Sequence, residues 1–150
     1  MFPLMNAYKF EINTTPGTTP GTLALLAAGI MNVEQGNNEE LDQTKYLDGN
    51  GYGETDVTGA QLVLTFSGHR KYGDAAQDFI FGKLLQLGNS RRTNFVITEP
   101  NGDKIEGDCT IANITPPSGD AGTKGEMSFE IHFNGLPSLT EAPAEAPTGS

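Results

Sequence analysis

The stretch from Thr58 to Asn89 constrains the fold more than any other. Within it, Gln61–Arg70 places Leu62, Leu64 and Phe66 on one face and predicts a β-strand. Val63 on the other face implies that both sides are partly covered. Gly73-Asp74 then opens a helical pattern in which Ala75, Ala76, Phe79, Ile80, Leu84 and Leu87 recur on one side. Asp74 can accept from the free backbone N–H groups of the first turn, and Gln77 stands three residues on, as in a capping box. Gly88-Asn89 supplies a stop, with Arg91-Arg92 near the negative end of the helix dipole. A helix over about residues 74–87 is predicted. A single helix among strands needs a sheet to cover, so this unit locates the core.

The flanking segments read as strand and turn. Tyr8, Phe10 and Ile12 alternate with Lys9 and Glu11 in a half-buried strand over Ala7–Ile12. Thr14-Thr-Pro-Gly17 and its near copy Thr18-Thr-Pro-Gly21 are turn chemistry. Leu23–Ala27 predicts a helical turn, and Ala28–Glu34 a strand. Thr93–Thr98, the turn Pro100-Asn-Gly-Asp103 and Lys104–Ile114 predict a hairpin. Pro116–Gly122 is a loop. Glu126–Phe133 alternates most clearly, with Met127, Phe129, Ile131 and Phe133 opposite Glu126, Ser128, Glu130 and His132. The resulting fold class is mainly β: a two-sheet sandwich or barrel over residues 1–136, with one flanking helix and a long polar loop. From Pro137 the composition turns to Pro, Ala, Glu, Thr, Gly and Ser, so residues 137–150 are expected to be a disordered tail.

The long loop runs from Glu34 to Gly59. Between Glu34 and Asp56 it carries seven acids against the one base Lys45. Such a segment inside a small domain is functional or disordered. Its Asp48-Gly-Asn50-Gly begins like a calcium loop, but Tyr52 and Gly59 fall at two ligand positions and flanking helices are missing, so a turn is expected.

Charge and chemistry exclude several function classes. Nineteen acids oppose nine bases, for a net charge of −10, which argues against binding nucleic acid through its phosphates. Cys109 is the single cysteine, so there is no internal disulfide. The N-terminus is a poor signal peptide, and the longest near-apolar run, Leu23–Met31, is well short of the ~20 residues of a membrane span. His69 and His132 have no nucleophile motif beside them, and no enzyme, metal or cofactor site is expected. Glu106 and Asp108 share one side of their strand, and Glu126 and Glu130 share one side of theirs. A solvated outer face accounts for them. Like charges on adjacent strands are mildly unfavourable, which gives a functional role some weight.

Several motifs together resemble one family. Asp48-Gly-Asn-Gly, Glu54-Thr-Asp-Val-Thr-Gly59, Leu64-Thr-Phe-Ser-Gly68-His-Arg and Tyr72-Gly-Asp-Ala-Ala-Gln-Asp-Phe-Ile80 are similar to the tail tube (major tail) proteins of long-tailed bacteriophages of Gram-positive hosts. Ile105-Glu-Gly-Asp-Cys-Thr-Ile-Ala-Asn-Ile114 and Ser118-Gly-Asp-Ala-Gly122 fit the same family, so the likeness covers most of residues 7–136. It implies two packed sheets with one helix, six subunits to a ring, and rings stacked into a hollow tube in the virion tail, assembled in the host cytoplasm. It also implies a loop reaching a neighbouring subunit, here with Asn37, Glu39, Glu40, Asp42, Lys45, Tyr46, Asp48, Tyr52 and Glu54. The loop's acidity points to Arg70, Lys71, Lys83, Arg91 and Arg92 as its partners. Such a lumen is commonly negative, with Glu106, Asp108, Glu126 and Glu130 as candidates to line it. Implied partners are the chain itself, a tape-measure protein inside the tube, and tail terminator and distal tail proteins at its ends. DNA would transit without specific binding. The alternative is a carbohydrate- or ligand-binding β-sandwich module of a baseplate or decoration domain.

Overall fold

A computed structural model describes residues 2–141. The chain is mainly β, with strands β1 (Lys9–Asn13), β2 (Leu23–Leu25), β3 (Ile30–Gly36), β4 (Glu40–Lys45), β5 (Gly53–Gly59), β6 (Val63–His69), β7 (Arg92–Thr98), β8 (Lys104–Ser118), β9 (Glu126–Phe133) and β10 (Ser138–Thr140). Its α-helix, α1, spans Ala75–Phe81. One large antiparallel sheet has the order β2-β1-β7-β8-β9-β6-β3, with β10 added to β8; β4 and β5 form a second, two-stranded sheet.

The large sheet must close on itself. Its two terminal strands, β2 and β3, are consecutive in sequence, and only residues 26–29 separate Leu25 from Ile30. Five Cα steps reach at most roughly 19 Å. A flat sheet would hold its first and seventh strands roughly 29 Å apart. The rings report the same curvature: Phe10 on β1 and Phe66 on β6 lie four places apart in the sheet, yet their centroids are 5.2 Å apart, edge to face. Two halves of one sheet thus face each other across the core. The seam stays open as a cleft of about 200 Å³ lined by Met5, Tyr8, Leu26, Ile30, Met31 and Val33 among others.

Alternation dictates this core. On β9, Met127, Phe129, Ile131 and Phe133 are buried, opposite part-exposed Ser128, Glu130 and His132. β6 buries Leu64 and Phe66, and β1 buries Phe10 and Ile12. Phe66 stacks on Phe129 at 5.3 Å and tilts against Phe95 of β7 at 5.9 Å. Such geometries add to the burial of the rings themselves. Among the described residues, the opposite, outer face of the sheet has no helix over it, because Ala76 and Ile80 of α1 join the buried core and Phe81 meets Phe129 edge to face at 6.2 Å.

The helix is shorter than predicted. Asp74 caps it by accepting from the Gln77 backbone N–H at 3.2 Å, as expected. It ends at Gly82, whose N–H closes the last turn on Asp78 and Ile80. Beyond it, the N–H groups of Lys83, Leu84 and Gln86 reach back three residues, to the carbonyls of Ile80, Phe81 and Lys83, so the chain tightens into turns, and Arg91 donates to the carbonyls of Leu84 and Gln86. Leu85 and Leu87 are left exposed. Gln77 does more than sit in a capping box: it is fully buried, and its Nε2 donates to Ala28 O at 2.6 Å and His69 O at 3.2 Å. Its Oε1 accepts from the Lys71 N–H at 2.7 Å. Two glycines permit the close approach beneath it; a Cβ on Gly68 would collide with Gly29 O, and Gly29 itself has φ +78°.

Other expectations need correction. Leu23–Leu25 is a strand rather than a helical turn, since it pairs with Glu11–Asn13 of β1. Glu34–Gly59 is the end of β3 followed by a hairpin rather than a loop, because β4 and β5 pair along their length. β8 continues through Pro116 and Pro117 to Ser118 at the irregular end of its pairing with β9. The ordered body also passes Pro137: Ser138, Leu139 and Thr140 pair with Glu106, Ile105 and Lys104. The rest of the expected tail, residues 142–150, lies outside the described residues.

Replacing Gln77 by Met keeps the volume but leaves the Ala28 and His69 carbonyls and the Lys71 N–H without their partner. Each such loss costs about 1–3 kcal/mol. The expected outcome is a destabilisation of about 3 kcal/mol, read as a lower denaturant midpoint with an unchanged slope.

Candidate assembly surface

The β4–β5 hairpin is an arm. Its strands pair with each other and with no strand of the large sheet. At its base, the Gln61 N–H donates to Asn37 O at 2.9 Å and Asn38 Nδ2 donates to Gln61 O at 3.4 Å, which fixes the exit point. At its tip, Asn50 takes the left-handed conformation, φ +53°, that Asn and Gly favour in tight turns. Register sorts the arm's side chains. Leu41 opposes Val57 on one face, together with Gln43, Thr55 and Lys45. Asp42 opposes Asp56 on the other, next to Glu54. Like charges directly opposite are unfavourable, and an isolated two-stranded hairpin is marginal in water. Leu47 and Tyr52 near the tip are almost fully exposed, and Leu41, Tyr46 and Val57 are more than half exposed. Of the residues expected to reach a neighbour, Glu40, Asp42, Lys45, Tyr46, Asp48, Tyr52 and Glu54 lie on the arm, while Asn37 and Glu39 lie at its base.

The four expected lumen acids share the outer sheet face. Glu106 and Asp108 alternate with Ile105, Gly107 and buried Cys109, and Glu126 and Glu130 alternate with buried Met127, Phe129 and Ile131. They are spread over the face rather than clustered. Glu130 opposes Ala112 and Glu126 opposes Ser118, while Glu106 and Asp108 oppose Val96 and Asn94 of β7. The like-charge penalty raised by the sequence is therefore avoided across β8 and β9. Glu11 of β1 and Glu34 of β3 extend the same face. Two of its cations are paired: Lys9 lies 3.7 Å from Glu11 and Arg92 lies 3.7 Å from Asp108; Lys104, two residues before Glu106, stands on the same face. His132 meets Glu130 at 2.8 Å. Half-exposed pairs of this kind add little stability, so their net effect is on the charge of the face.

The five expected basic partners divide into two groups. Arg91 is committed within the subunit, donating to Leu84 O, Gln86 O and Ile111 O. Arg70 is also held, by Asp78 at 2.9 Å and between the rings of Tyr72 and Phe81 at 4.4 and 4.9 Å. Lys83 sits over the Phe79 ring at 4.9 Å, and Arg92 reaches Asp108. Lys71 is exposed, with no carboxylate partner among the described residues. The sequence reading did not single out Lys124. With His69, Arg70, Tyr72, Pro117 and Gly125 it lines a cleft of about 310 Å³ at the His69 end of β6. Only the pairing of β6 with β9 brings Lys124 there, so its place in sequence gave no signal.

Among the described residues, no group of three His, Cys, Asp or Glu could hold a metal ion, and no helix is long and apolar enough to cross a membrane. Cys109 is buried, and burial pushes its thiol from 9.0 up to about 12; Asp108 adds to the rise and the hydrogen bond with the Thr93 backbone opposes it.

No protein-family model matches the chain, and no curated protein does. Solved structures do. A chain in the tail of an empty GTA particle, solved with C6 symmetry, superposes with a TM-score of 0.72 over 95% of this chain and all of its own length, at 14% identity. A chain of the SPP1 tail tube matches at 0.64, covering 93% of this chain and 80% of that one, at 16% identity. The chain has the fold of phage tail tube proteins. A chain of an extracellular contractile injection system, from its sheath–tube complex, matches more loosely, at 0.55 and 12% identity over 94% of this chain and 93% of its own.

With its thiol near 12, Cys109 is ionised in only about one molecule in ten thousand at pH 8. Iodoacetamide should leave the folded protein unmodified at that pH and label it fully in denaturant, as mass spectrometry reads. The folded thiol also holds its proton more tightly than the unfolded one. The stability linked to it is whole below 9.0 and is lost as pH rises towards about 12.

Proposed function

We propose that this protein is the subunit of a hollow tail tube, in a phage or phage-derived particle, built from stacked six-membered rings. The observation that carries the reading is the arm. It is a hairpin with opposed aspartates and exposed Leu47 and Tyr52, attached to a domain with the tail-tube fold. In isolation these features cost stability; against a neighbouring subunit they become contacts. The free outer edges of β2 and β3 support the same reading, since each pairs on one side only within the described residues. Closing edges between subunits removes templates for uncontrolled strand pairing.

In this reading the outer sheet face, with Glu106, Asp108, Glu126 and Glu130, lines the bore. Carboxylates there repel phosphates, so DNA passes without being held. A bore lined with cations would gain affinity with every phosphate neutralised. The arm reaches a neighbouring subunit or ring, with basic side chains among its partners. A tape-measure protein occupies the tube during assembly, and terminator and distal tail proteins close its ends. The tube serves in the virion tail after assembly in the host cytoplasm, and the resemblance of its motifs to those of phages of Gram-positive hosts supports a particle of that kind.

The test is removal of the arm. Asn37 and Gln61 are already hydrogen-bonded, so replacing residues 38–60 by a two-residue Asn-Gly turn closes the chain without strain. The expected product melts as one cooperative domain and forms no tubes by negative-stain electron microscopy. Tubes of normal length from this variant would refute the role of the arm.

A further inference from the structure

We infer that the cleft lined by His69, Arg70, Tyr72, Pro117 and Lys124 is the socket for the acidic arm of a second copy of this chain. The inference rests on the tail-tube reading and specifies its contact. Three observations carry it.

The first is position. The arm joins the body next to Val63, where β6 begins, and the cleft lies at His69, where β6 ends. Seven residues of strand separate the two by roughly 20 Å, placing them at opposite ends of the sheet. A plug at one end and a socket at the other give a heterologous contact that repeats without closing, which stacks subunits head to tail.

The second is charge. The arm bears Glu40, Asp42, Asp48, Glu54 and Asp56 against Lys45 alone, and Lys45 lies on the Leu41 face. The cleft is lined by Arg70, Lys124 and His69 and by no carboxylate. Lys71 follows Arg70 directly, and neither Lys71 nor Lys124 has a carboxylate partner among the described residues. The nearest acid in register is Glu126, opposite His69 on β9. Arg70 shares its charge with Asp78 at 2.9 Å, which leaves Lys71 and Lys124 to meet an acidic segment.

The third is shape and order. Tyr72 is 78% exposed and Pro117 lines the wall beside it, so the cleft offers apolar surface to Tyr52 or Leu47 of the arm. Two of the polar groups are already fixed: Asp78 and two rings hold Arg70, and His69 Nδ1 lies 3.2 Å from Gly125 O. Groups held before binding lose little freedom on docking.

The experiment is a charge swap. Lys71→Glu with Lys124→Glu changes exposed side chains and should leave the melting temperature as it is. Asp48→Lys with Glu54→Lys does the same on the arm. Each pair alone should raise the concentration needed for tube formation about tenfold or more, since like charges then face each other. The four changes combined should restore assembly, with a response to salt like that of the parent chain. Normal tubes from either pair alone, or failure of the combination to restore them, overturns the socket. Absence of tubes from the parent chain, under conditions where it is folded and concentrated, instead overturns the tail-tube reading and the socket with it.

Discussion

The fold depends on one side-chain amide. The curl of the large sheet brings its two unpaired edge strands, β2 and β3, within reach of residues 26–29, and the backbone carbonyls of this short connection need donors. Gln77 supplies one, donating to Ala28 O, and from the same nitrogen it donates to His69 O at the end of β6. Its oxygen accepts from the Lys71 N–H where the chain turns towards the helix. The amide therefore joins the connection between the edge strands, the end of β6 and the helix that carries it. Apolar burial drives the sheet to curl, but it is non-directional. The amide gives the closure one geometry.

That closure also decides what is left outside. With α1 packed on the core side, the convex face of the sheet carries no helix among the described residues and collects the chain's alternating acids. The hairpin of β4 and β5 leaves at one end, and the cleft at His69 opens at the other. Under the proposed function, the acidic face, the two open strand edges and the projecting arm are the features buried among copies of the chain.

The sequence was legible where a side chain faces the core. The alternation of Met127, Phe129, Ile131 and Phe133, the turn at Asn101-Gly102 and the Asp74 cap all transfer directly into the structure. It was less legible where tertiary contacts compete with local preference. Leu23–Leu25 has helical composition but is captured by β1, and past Gly82 the chain tightens into i→i−3 turns whose carbonyls at Leu84 and Gln86 are taken up by Arg91. The arm was hardest to read because neither of its faces meets the core, so apolar periodicity had nothing to report. Thr, Val and Gly at its pairing positions, with Asn50-Gly51 at the tip, were the remaining signals. The shared outer face of Glu106, Asp108, Glu126 and Glu130 was visible as alternation, whereas their spacing on it follows from register, which the sequence does not display. The cleft around Lys124 belongs to the same class, since it exists only once β6 and β9 are paired.

Cryo-electron microscopy of the purified, concentrated protein tests the central claim most directly. The account predicts a hollow tube of six-membered rings, with Glu106, Asp108, Glu126 and Glu130 at the bore and the β4–β5 arm inserted into a neighbouring subunit. A protein that stays monomeric at high concentration, or a tube with those four carboxylates on its exterior and the arm free in solvent, would contradict it.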